Sequence, residues 1–358
     1  MLREELSLEP RRNPMSLENI LNDDGDTVNY SLSSLPRSHG RQFQSSVYVP
    51  SMKGESLDIC LPRRRLTMNH RKEQYGQSGC KPHLLRTGSP FDDQEQDRLD
   101  FFHKVFSIAL MSEKLVHVPH PENGRFLDLG CGTGIWAIDI ARQFPGAFVV
   151  GIDIAPIQPS NKPENCSFRA PFDLESPWTL GENEWDVIYL RMGCGYISDW
   201  QGLYRKVYAH LCDGGWLEQI EIDFTPRSVR HTKGDCAMQF WYQSLTQATE
   251  KAVRPLAHCP QWTMQKLQGA GFVEIHHHQV GLPLGQWHND EYERLVGLWY
   301  RQAFIESIEP LSVVPFSSIL GWKPDQIRHL AAKVRSETLR DESCSFNTLH
   351  LYRARRPM

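Results

Sequence analysis

The sequence lacks a long apolar run, and residues 1–5 lack the apolar core of a secretory signal. We therefore expect neither a membrane span nor a secretory leader. The nine cysteines include no Cys-x-x-Cys pair, which disfavours a zinc module and a disulfide framework and favours a reducing compartment. The formal net charge of -4 gives no sign of a surface for direct nucleic-acid binding. These absences predict an intracellular protein.

The first 88 residues differ in composition from the rest of the chain. They are rich in Ser, Pro, Asn, Arg and Asp and have few sustained apolar patterns. This composition predicts a disordered or loosely structured tail at residues 1–88, followed by one domain over residues 89–358. Residues 62–65 and 70–72 form a basic cluster within the tail. A nuclear import signal, a nucleic-acid contact and a solvated charge run all stay open for this cluster.

A glycine-rich stretch organises the domain. Residues 126–129 form a short apolar run typical of a buried strand, and Gly130, Gly132 and Gly134 follow at alternate positions. Residues 136–144 then place apolar side chains at four-residue spacing, which predicts a helix. The unit is strand, glycine loop, helix. Because glycine has no Cβ, such a loop can turn tightly and its backbone can lie close to a ligand.

Acidic residues lie at the ends of the first two predicted strands. Asp128 is near the end of the first strand, and residues 147–152 form a second strand followed by Asp153, nineteen residues beyond Gly134. An acid at this place in a doubly wound sheet accepts hydrogen bonds from a ribose. The pattern therefore predicts a nucleoside-binding site.

A dinucleotide site is the alternative, because Gly132-x-Gly134-x-x-Ala137 also fits the dinucleotide fingerprint. In that fingerprint the first glycine closes the strand. Here Gly130 and the acid Asp128 already occupy that place, which favours a methyl donor over a nicotinamide cofactor.

The rest of the domain alternates strands with helices. Expected strands cover residues 165–170, 185–190 and 216–224, a sixth begins at residue 272, and a last covers 346–354. Expected helices cover residues 92–116, 235–252 and 262–270, another runs from residue 200 until residues 213–215 stop it, and residues 282–341 form a mostly helical insertion. This alternation indicates an α/β fold with a largely parallel sheet.

The glycine loop with its two acids resembles the cofactor site of class I S-adenosylmethionine-dependent methyltransferases. The resemblance implies a Rossmann-like α/β fold with a seven-stranded, mostly parallel sheet, in which an antiparallel last strand follows the helical insertion. It also implies S-adenosyl-L-methionine as the cofactor. The cofactor-binding residues expected from it are Asp128, Gly130, Cys131, Gly132, Gly134, Asp153, Ile154, Phe172, Asp173 and Arg191.

Individual roles follow from the same resemblance. Asp128 is expected to organise the loop near the cofactor's amino group, and Asp153 to accept hydrogen bonds from both ribose hydroxyls. Asp173 matches the acid that faces the adenine amino group, with an ordinary turn aspartate as the alternative. Residues 191–195 follow the fourth strand, where open α/β sheets bind ligands, and are expected to border the transferred methyl group.

The sequence identifies no catalytic residue. A protonated acceptor would need a nearby base, and the candidates are Glu218, Glu221, Tyr189 and His210, each with a structural role as the alternative. The three histidines at 276–278 do not predict a metal site. Neighbours on a strand point to opposite faces, and no acid or cysteine lies at ligand spacing.

Longer stretches resemble one family in particular, the LaeA family of fungal methyltransferase-like regulators. These stretches are residues 92–100, 127–138, 155–159, 175–178, 219–223 and 347–355, so the resemblance spans about residues 88–358. It implies location in the nucleus, with the cytoplasm also open. It further implies association with velvet-domain proteins and control of secondary-metabolite gene clusters, sporulation and development.

The methyl acceptor is not defined by any motif. The main hypothesis is a protein methyltransferase acting in a nuclear regulatory complex. A small-molecule methyltransferase of a metabolite pathway and a non-catalytic scaffold with the same fold are the alternatives.

Overall fold

The computed structural model describes residues 93–110, 114–229, 236–340 and 344–358. The predicted tail and its basic cluster lie outside these ranges, so the boundary near residue 88 stays a prediction. The strands are β1 (Arg125–Leu129), β2 (Phe148–Ile152), β3 (Cys166–Arg169), β4 (Trp185–Arg191), β5 (Leu211–Ser228), β6 (Val273–Pro283) and β7 (Ser345–Arg355). The helices are α1 (Asp93–Ala109), α2 (Ile135–Gln143), α3 (Trp200–His210), α4 (Ala237–Lys251), α5 (Pro260–Gly269), α6 (Glu291–Val314) and α7 (Pro324–Thr338), with a π-helical segment (Pro315–Ile319) directly after α6.

The strands form one seven-stranded sheet in the order β3-β2-β1-β4-β5-β7-β6. Strands β1 to β5 pair in parallel, whereas β7 is antiparallel to both of its neighbours, β5 and β6. The predicted α/β fold with an antiparallel last strand is confirmed. The strand order reverses between β1 and β4, and such a switch point leaves a crevice at the carboxyl ends of the strands.

The central strand β1 is apolar because both faces of the sheet are covered. Phe126, Leu127 and Leu129 have no exposed surface. Helix α2 packs on one face through Trp136 and Ile140, which are also fully buried. Because β1 is packed on both sides, the end of the strand and the loop that follows it have a fixed position in the fold.

The predicted helix at residues 92–116 is too long, since α1 ends at Ala109. Residues 114–118 are not helical, and their backbone groups bond to other elements. Leu115 O accepts a hydrogen bond from Trp136 Nε1 at 2.9 Å, and His117 N donates to Glu218 Oε2 at 2.6 Å. These tertiary partners replace the hydrogen bonds that another helical turn would make.

The fifth strand begins earlier than predicted, at Leu211 rather than near residue 216. Helix α3 ends at His210, whose carbonyl accepts a hydrogen bond from Glu184 N at 3.1 Å. Leu211 then pairs with Trp185, and a register shift follows before the regular ladder resumes at Trp216. The glycines at 214 and 215 therefore lie in an irregular strand start and do not stop the helix.

Helices α6 and α7 with the π-helical segment form the insertion between β6 and β7. Asp290 caps α6 by accepting hydrogen bonds from Tyr292 N and Glu293 N at 2.9 and 3.0 Å. The insertion packs against α1, with the rings of Phe101 and Trp299 6.2 Å apart. Among the helices that the structure describes, none is long and apolar enough to cross a membrane.

Candidate active site

The loop between β1 and α2 is held in a tight turn. Gly130 N and Cys131 N both donate to Ile152 O, at 2.9 and 3.0 Å, and Gly134 N donates to Cys131 O at 2.9 Å. Gly130, Gly132 and Gly134 have φ angles of 67°, 56° and 80°. These lie in the left-handed region that glycine adopts at little cost. The backbone conformation of this loop thus explains why glycine occupies the three alternate positions.

Asp153 follows β2 and is hydrogen-bonded to the loop. Its Oδ2 accepts from Gly132 N and its Oδ1 from Ala155 N, both at 2.8 Å. Burial raises the pKa of Asp153, while hydrogen bonds from these two backbone groups act in the opposite direction. Both carboxylate oxygens accept a backbone donor, and because a carboxylate has about four acceptor sites, it can also accept from a ligand hydroxyl.

Asp128 lies in β1 and is only 1% exposed. Its Oδ2 is buried and has no hydrogen-bond partner within the described part of the chain. Burial raises the pKa of Asp128 to about 7, the charge of Arg191 lowers it, and the charge of Asp153 raises it further. A buried carboxyl oxygen without a donor is costly, and a cationic ligand group beside it would relieve that cost.

The main cavity opens at the carboxyl ends of β1, β2, β4 and β5 and has a volume of ≈ 230 Å³. Eight of the ten predicted cofactor residues line it, namely Gly130, Cys131, Gly132, Asp153, Ile154, Phe172, Asp173 and Arg191. Asp128 and Gly134 do not line it. Asp128 is buried in the strand, and a Cβ on Gly134 would lie 2.4 Å from the ring of Phe168, so Gly134 is needed for packing.

Asp173 lines the cavity and also belongs to a turn. Its Oδ1 accepts from Glu175 N at 3.0 Å, and its Oδ2 from Ser176 Oγ at 3.1 Å. Phe172 lies next to it on the cavity wall. Asp173 is therefore both a cavity residue and a turn aspartate, so the two alternatives from the sequence do not exclude each other.

The residues present fit S-adenosylmethionine. Asp153 would hold the ribose and Phe172 and Asp173 the adenine, while the carboxyl of Asp128, buried in β1, would attract the cofactor's amino group by its charge. A Cβ on Gly130 would meet no atom within 4 Å, so the loop leaves room there for the amino-acid part. When bound, this cofactor supplies an electrophilic methyl group on a sulfonium sulfur.

Helix α1 contributes cavity residues that were not predicted one by one. Glu95, Arg98, Leu99, Phe102 and Phe106 line the cavity. Arg98 forms a buried two-bond pair with Glu95, with Nε···Oε2 and Nη2···Oε1 distances of 2.7 and 2.5 Å. The sequence predicted the helix but assigned none of these side chains to the site. The polar pair gave no signal, because Glu and Arg three residues apart are common on solvated helices.

Arg191, at the end of β4, is held by α1. Its Nη1 lies 3.0 Å from His103 Nδ1, and His103 Nε2 lies 3.2 Å from Asp139 Oδ2. Since arginine only donates, His103 Nδ1 accepts and Nε2–H donates to Asp139. The guanidinium also lies over the rings of Phe106 and Tyr189, at 5.8 and 5.5 Å. Arg191 is thus fixed in the cavity wall.

Of the four candidate bases, Glu221 lines the cavity described above. Glu218 accepts from the backbone and the ring of His117, at 2.6 and 2.9 Å. Tyr189 stacks on Trp136 with ring centroids 3.9 Å apart. His210, the fourth candidate, lies 2.7 Å from Lys206 O through its Nδ1. These three side chains have structural partners away from the cavity.

The central histidine of residues 276–278 also belongs to a structural network. His277 Nε2 lies 2.9 Å from His350 Nδ1, and the His277 ring stacks on Tyr352 at 4.5 Å. Within the described ranges, no group of three or more His, Cys, Asp or Glu side chains is arranged to hold a metal ion.

The sheet order, the glycine loop and its two acids define a class I S-adenosylmethionine-dependent methyltransferase. The profile of a family described as "Methyltransferase domain" matches residues 101–269. The chain belongs to the LaeA family of secondary metabolism regulators, which confirms the family resemblance. A relative from Aspergillus niger named "Secondary metabolism regulator laeA" is 54% identical over 286 residues, which cover 79% of this chain and 76% of the relative.

Two further similarities differ in strength. A relative from Emericella nidulans, named "Protein-methionine methyltransferase laeA", is 52% identical over 293 residues, covering 81% of this chain and 78% of its own. A solved phosphoethanolamine N-methyltransferase from Haemonchus contortus, in complex with S-adenosyl-L-methionine, has 15% sequence identity to this chain and a TM-score of 0.46. The alignment covers 77% of this chain and 59% of the solved chain.

Proposed function

We propose that this chain methylates the thioether of a methionine in a protein, as part of a nuclear regulatory complex with velvet-domain proteins. The observation that carries the proposal is the state of Glu221. Its Oε1 accepts from Gly193 N and Gln219 Nε2, at 3.0 and 2.9 Å, and its Oε2 from Cys194 N at 3.1 Å. The carboxylate of Glu221 therefore positions the loop after β4.

The other polar groups near Glu221 are poor bases. Burial, followed by the charge of Glu221, raises the pKa of the Cys194 thiol well above its usual value. Its Sγ lies 3.5 Å from His258 Nδ1. Burial lowers the pKa of His258 to about 4, so this pair is a neutral thiol and a neutral imidazole at pH 7.

A methionine thioether suits such a site, because its sulfur has a lone pair and no proton to lose. The new S–C bond forms as the donor's S–C bond breaks, and the positive charge passes to the acceptor sulfur. An ammonium acceptor would first have to lose a proton to a base. The role left to the chain is alignment of the acceptor and exclusion of water.

The name of the Emericella relative supports a protein methionine as the acceptor. The names of the relatives as secondary metabolism regulators support a role in controlling secondary-metabolite gene clusters. Sporulation, development and the velvet-type partners are proposed from the family alone. Nuclear location is proposed from the family and from the basic cluster at residues 62–72.

The test of the acceptor uses donor labelled in the methyl group and nuclear extract from a deletion strain. Intact protein is compared with an Asp153→Asn variant. We expect a labelled protein band that requires Asp153, with the added methyl group on methionine by mass spectrometry. Label on lysine or arginine would exclude the thioether. Label confined to the organic-soluble fraction would indicate a small-molecule methyltransferase instead.

The test of the complex uses a fluorescent fusion and affinity purification from nuclei. We expect nuclear accumulation that is lost when Arg63, Arg64 and Arg65 are all replaced by alanine, and velvet-domain proteins among the purified partners. A cytoplasmic intact fusion, or purification without those partners, would contradict this part of the proposal.

A further inference from the structure

The amino-acid part of S-adenosylmethionine carries two opposite charges, an ammonium and a carboxylate. The buried carboxyl of Asp128 attracts the ammonium by its charge. The carboxylate needs hydrogen-bond donors, and a cationic donor binds it most strongly. The group that takes the carboxylate must therefore lie on the cavity wall, close enough to Asp128 for one ligand to reach both.

The glycine loop is a poor binding place for this anion. Four of its N–H groups already donate hydrogen bonds within the protein, those of Gly130, Cys131, Gly132 and Gly134. Their acceptors are the last carbonyl of β2, a carbonyl of the loop itself and the carboxylate of Asp153. A side chain is therefore the better source of donors for the cofactor's carboxylate.

Within the described ranges, two arginines and no lysine line the main cavity, namely Arg98 and Arg191. Arg98 is only 5% exposed, and its guanidinium donates to both carboxylate oxygens of Glu95, at 2.7 and 2.5 Å. The charge of Arg98 is thus already matched by a carboxylate of the protein. A ligand carboxylate would have to compete with Glu95 for it.

Arg191 has no such partner, since no carboxylate in the described part of the chain forms an ion pair with it. Its Nη1 donates to the neutral acceptor His103 Nδ1 at 3.0 Å. A guanidinium has five N–H donors, and this bond uses one of them. Burial raises the pKa of Asp128 and the charge of Arg191 opposes that rise, so the two groups interact without forming an ion pair.

The sheet places Arg191 beside Asp128 and the open side of the loop. Asp128 pairs with Tyr189 across β1 and β4, and Arg191 lies two residues beyond Tyr189, on the same face of the sheet. At that level β1 has ended and Gly130 begins the loop, where a Cβ would meet no atom within 4 Å. An acid and a guanidinium thus flank the space for the amino-acid part, with charges opposite to those of its two groups.

Two helices hold the guanidinium of Arg191 in place. His103 of α1 accepts from it, and His103 Nε2–H donates to Asp139 of α2 at 3.2 Å. The rings of Phe106 and Tyr189 lie against the guanidinium at 5.8 and 5.5 Å. A guanidinium fixed in this way loses little conformational freedom when it binds an anion.

We propose that Arg191 binds the carboxylate of the cofactor and that His103 positions the guanidinium for this contact. Asp128 and Arg191 then recognise the two charged groups of the amino-acid part together. Tight binding therefore requires the carboxylate as well as the nucleoside. The role of Arg191 concerns the cofactor alone and does not depend on which acceptor is methylated.

The experiment is a calorimetric titration of full-length protein with S-adenosylhomocysteine and with its decarboxylated analogue, which keeps the ammonium. We expect intact protein to bind S-adenosylhomocysteine about tenfold or more tightly than the analogue, the effect of one charge-assisted contact. Arg191→Met should remove this preference by weakening S-adenosylhomocysteine binding and not that of the analogue. Equal weakening of both ligands, or no preference in intact protein, would overturn the assignment of the carboxylate.

Two other arginines give the control variants. Arg328→Met removes a guanidinium that is 63% exposed on α7, and it should leave both affinities unchanged. Arg98→Gln alters the other arginine of the cavity and should keep the preference for the ligand with the carboxylate. A preference that is lost in Arg98→Gln and kept in Arg191→Met would overturn the proposal and assign the carboxylate to Arg98.

The positioning role of His103 is tested by two substitutions. His103→Phe removes the acceptor for Arg191, whereas His103→Asn keeps an acceptor oxygen near the place of Nδ1. We expect the preference for the carboxylate ligand to fall about threefold or more in His103→Phe and to fall less in His103→Asn. An unchanged preference in His103→Phe, or equal falls in the two variants, would overturn the positioning role. If Arg191→Met does not fold, the preference of intact protein and its fall in His103→Phe decide the assignment.

Discussion

The N–H of Gly132 donates a hydrogen bond to Oδ2 of Asp153 at 2.8 Å, which joins the glycine loop after β1 to the acid after β2. Gly130 and Cys131 add bonds from the same loop to the last carbonyl of β2, that of Ile152. The acid expected to hold the ribose therefore also sets the shape of the loop. Loop and acid form one unit that is in place before the cofactor binds.

Asp153→Asn should weaken S-adenosylmethionine binding at least about tenfold, the effect of losing one charge-assisted hydrogen bond. The amide can accept from Gly132 through its oxygen, but its nitrogen cannot accept from a second donor. Calorimetric titration with S-adenosylhomocysteine measures the change. Asp325→Asn is the control, because Asp325 is 90% exposed on α7. Equal affinity in the two variants would contradict the ribose role.

Two glycines of the same loop should respond differently to alanine. Gly130 and Gly134 both have positive φ, which costs alanine about 1–2 kcal/mol. A Cβ at Gly134 would also lie 2.4 Å from the ring of Phe168, whereas one at Gly130 would meet nothing within 4 Å. We expect Gly134→Ala to lower the free energy of unfolding by about 3 kcal/mol or more.

Gly130→Ala serves as the comparison. It should cost about 1–2 kcal/mol from strain alone and should weaken cofactor binding, because its methyl group would enter the cavity. Denaturant unfolding and calorimetry measure the two effects. A Gly130→Ala variant that unfolds as easily as Gly134→Ala would show that the packing argument is wrong.

Asp128→Asn should stabilise the protein without cofactor and weaken cofactor binding. Burial raises the pKa of Asp128 from 3.8 to about 7, so an ionised carboxylate there destabilises the fold. A raised carboxyl pKa favours folding at low pH, and this stability is lost as the pH rises from about 4 to 7. The variant's advantage should thus be near zero at pH 4 and at most about 4 kcal/mol above pH 7.

Unfolding by urea at several pH values measures this advantage, and calorimetry measures the affinity. Asp153→Asn is a suitable comparison, because both oxygens of Asp153 accept backbone hydrogen bonds and Oδ2 of Asp128 has no partner among the described residues. A pH-independent difference in stability between Asp128→Asn and intact protein would mean that the carboxyl has the same pKa in the folded and the unfolded chain, so that burial does not raise it.

Local sequence patterns predicted those site residues that lie near one another along the chain. Gly130, Gly132 and Gly134 follow a buried strand, and Asp153 follows the next strand, so the positions of all four depend on short-range geometry. Parallel pairing of β1 with β2 then brings loop and acid together. The fold class was predictable for the same reason, since alternating strands and helices leave few topologies.

Contacts between residues far apart in the sequence determine the features that could not be predicted. Helix α1 ends at Ala109 because Trp136 and Glu218 bond to the backbone of the following residues, and neither partner is visible from the helix itself. Glu221 was one of four candidates for a base. Its role became clear only when β5 brought it beside the N–H groups of Gly193 and Cys194.

Glu175→Gln tests the hydrogen-bonded pair of Glu175 and Arg254, which joins the segment after β3 to the segment after α4. Glu175 accepts from Ser198 N at 2.7 Å and from Arg254 Nη2 at 2.8 Å. Burial alone would raise its pKa, but hydrogen bonds from Ser198 and Arg254 lower it to about 2. We expect the variant to lose about 2 kcal/mol of unfolding free energy at pH 7, as for hydrogen bonds to charged groups.

The pH dependence of this loss should be opposite in sign to that at Asp128. A lowered carboxyl pKa stabilises the fold above the unfolded value of about 4.3, and this stability is lost as the pH falls towards 2. Glu274→Gln is the matched control, because Glu274 meets Arg355 at the same kind of distance, 2.7 Å, but is 49% exposed. Its loss should stay below about 1 kcal/mol. Urea unfolding at pH 7 and near pH 2 separates the cases, and equal losses in the two variants would mean that burial does not strengthen the Glu175 pair.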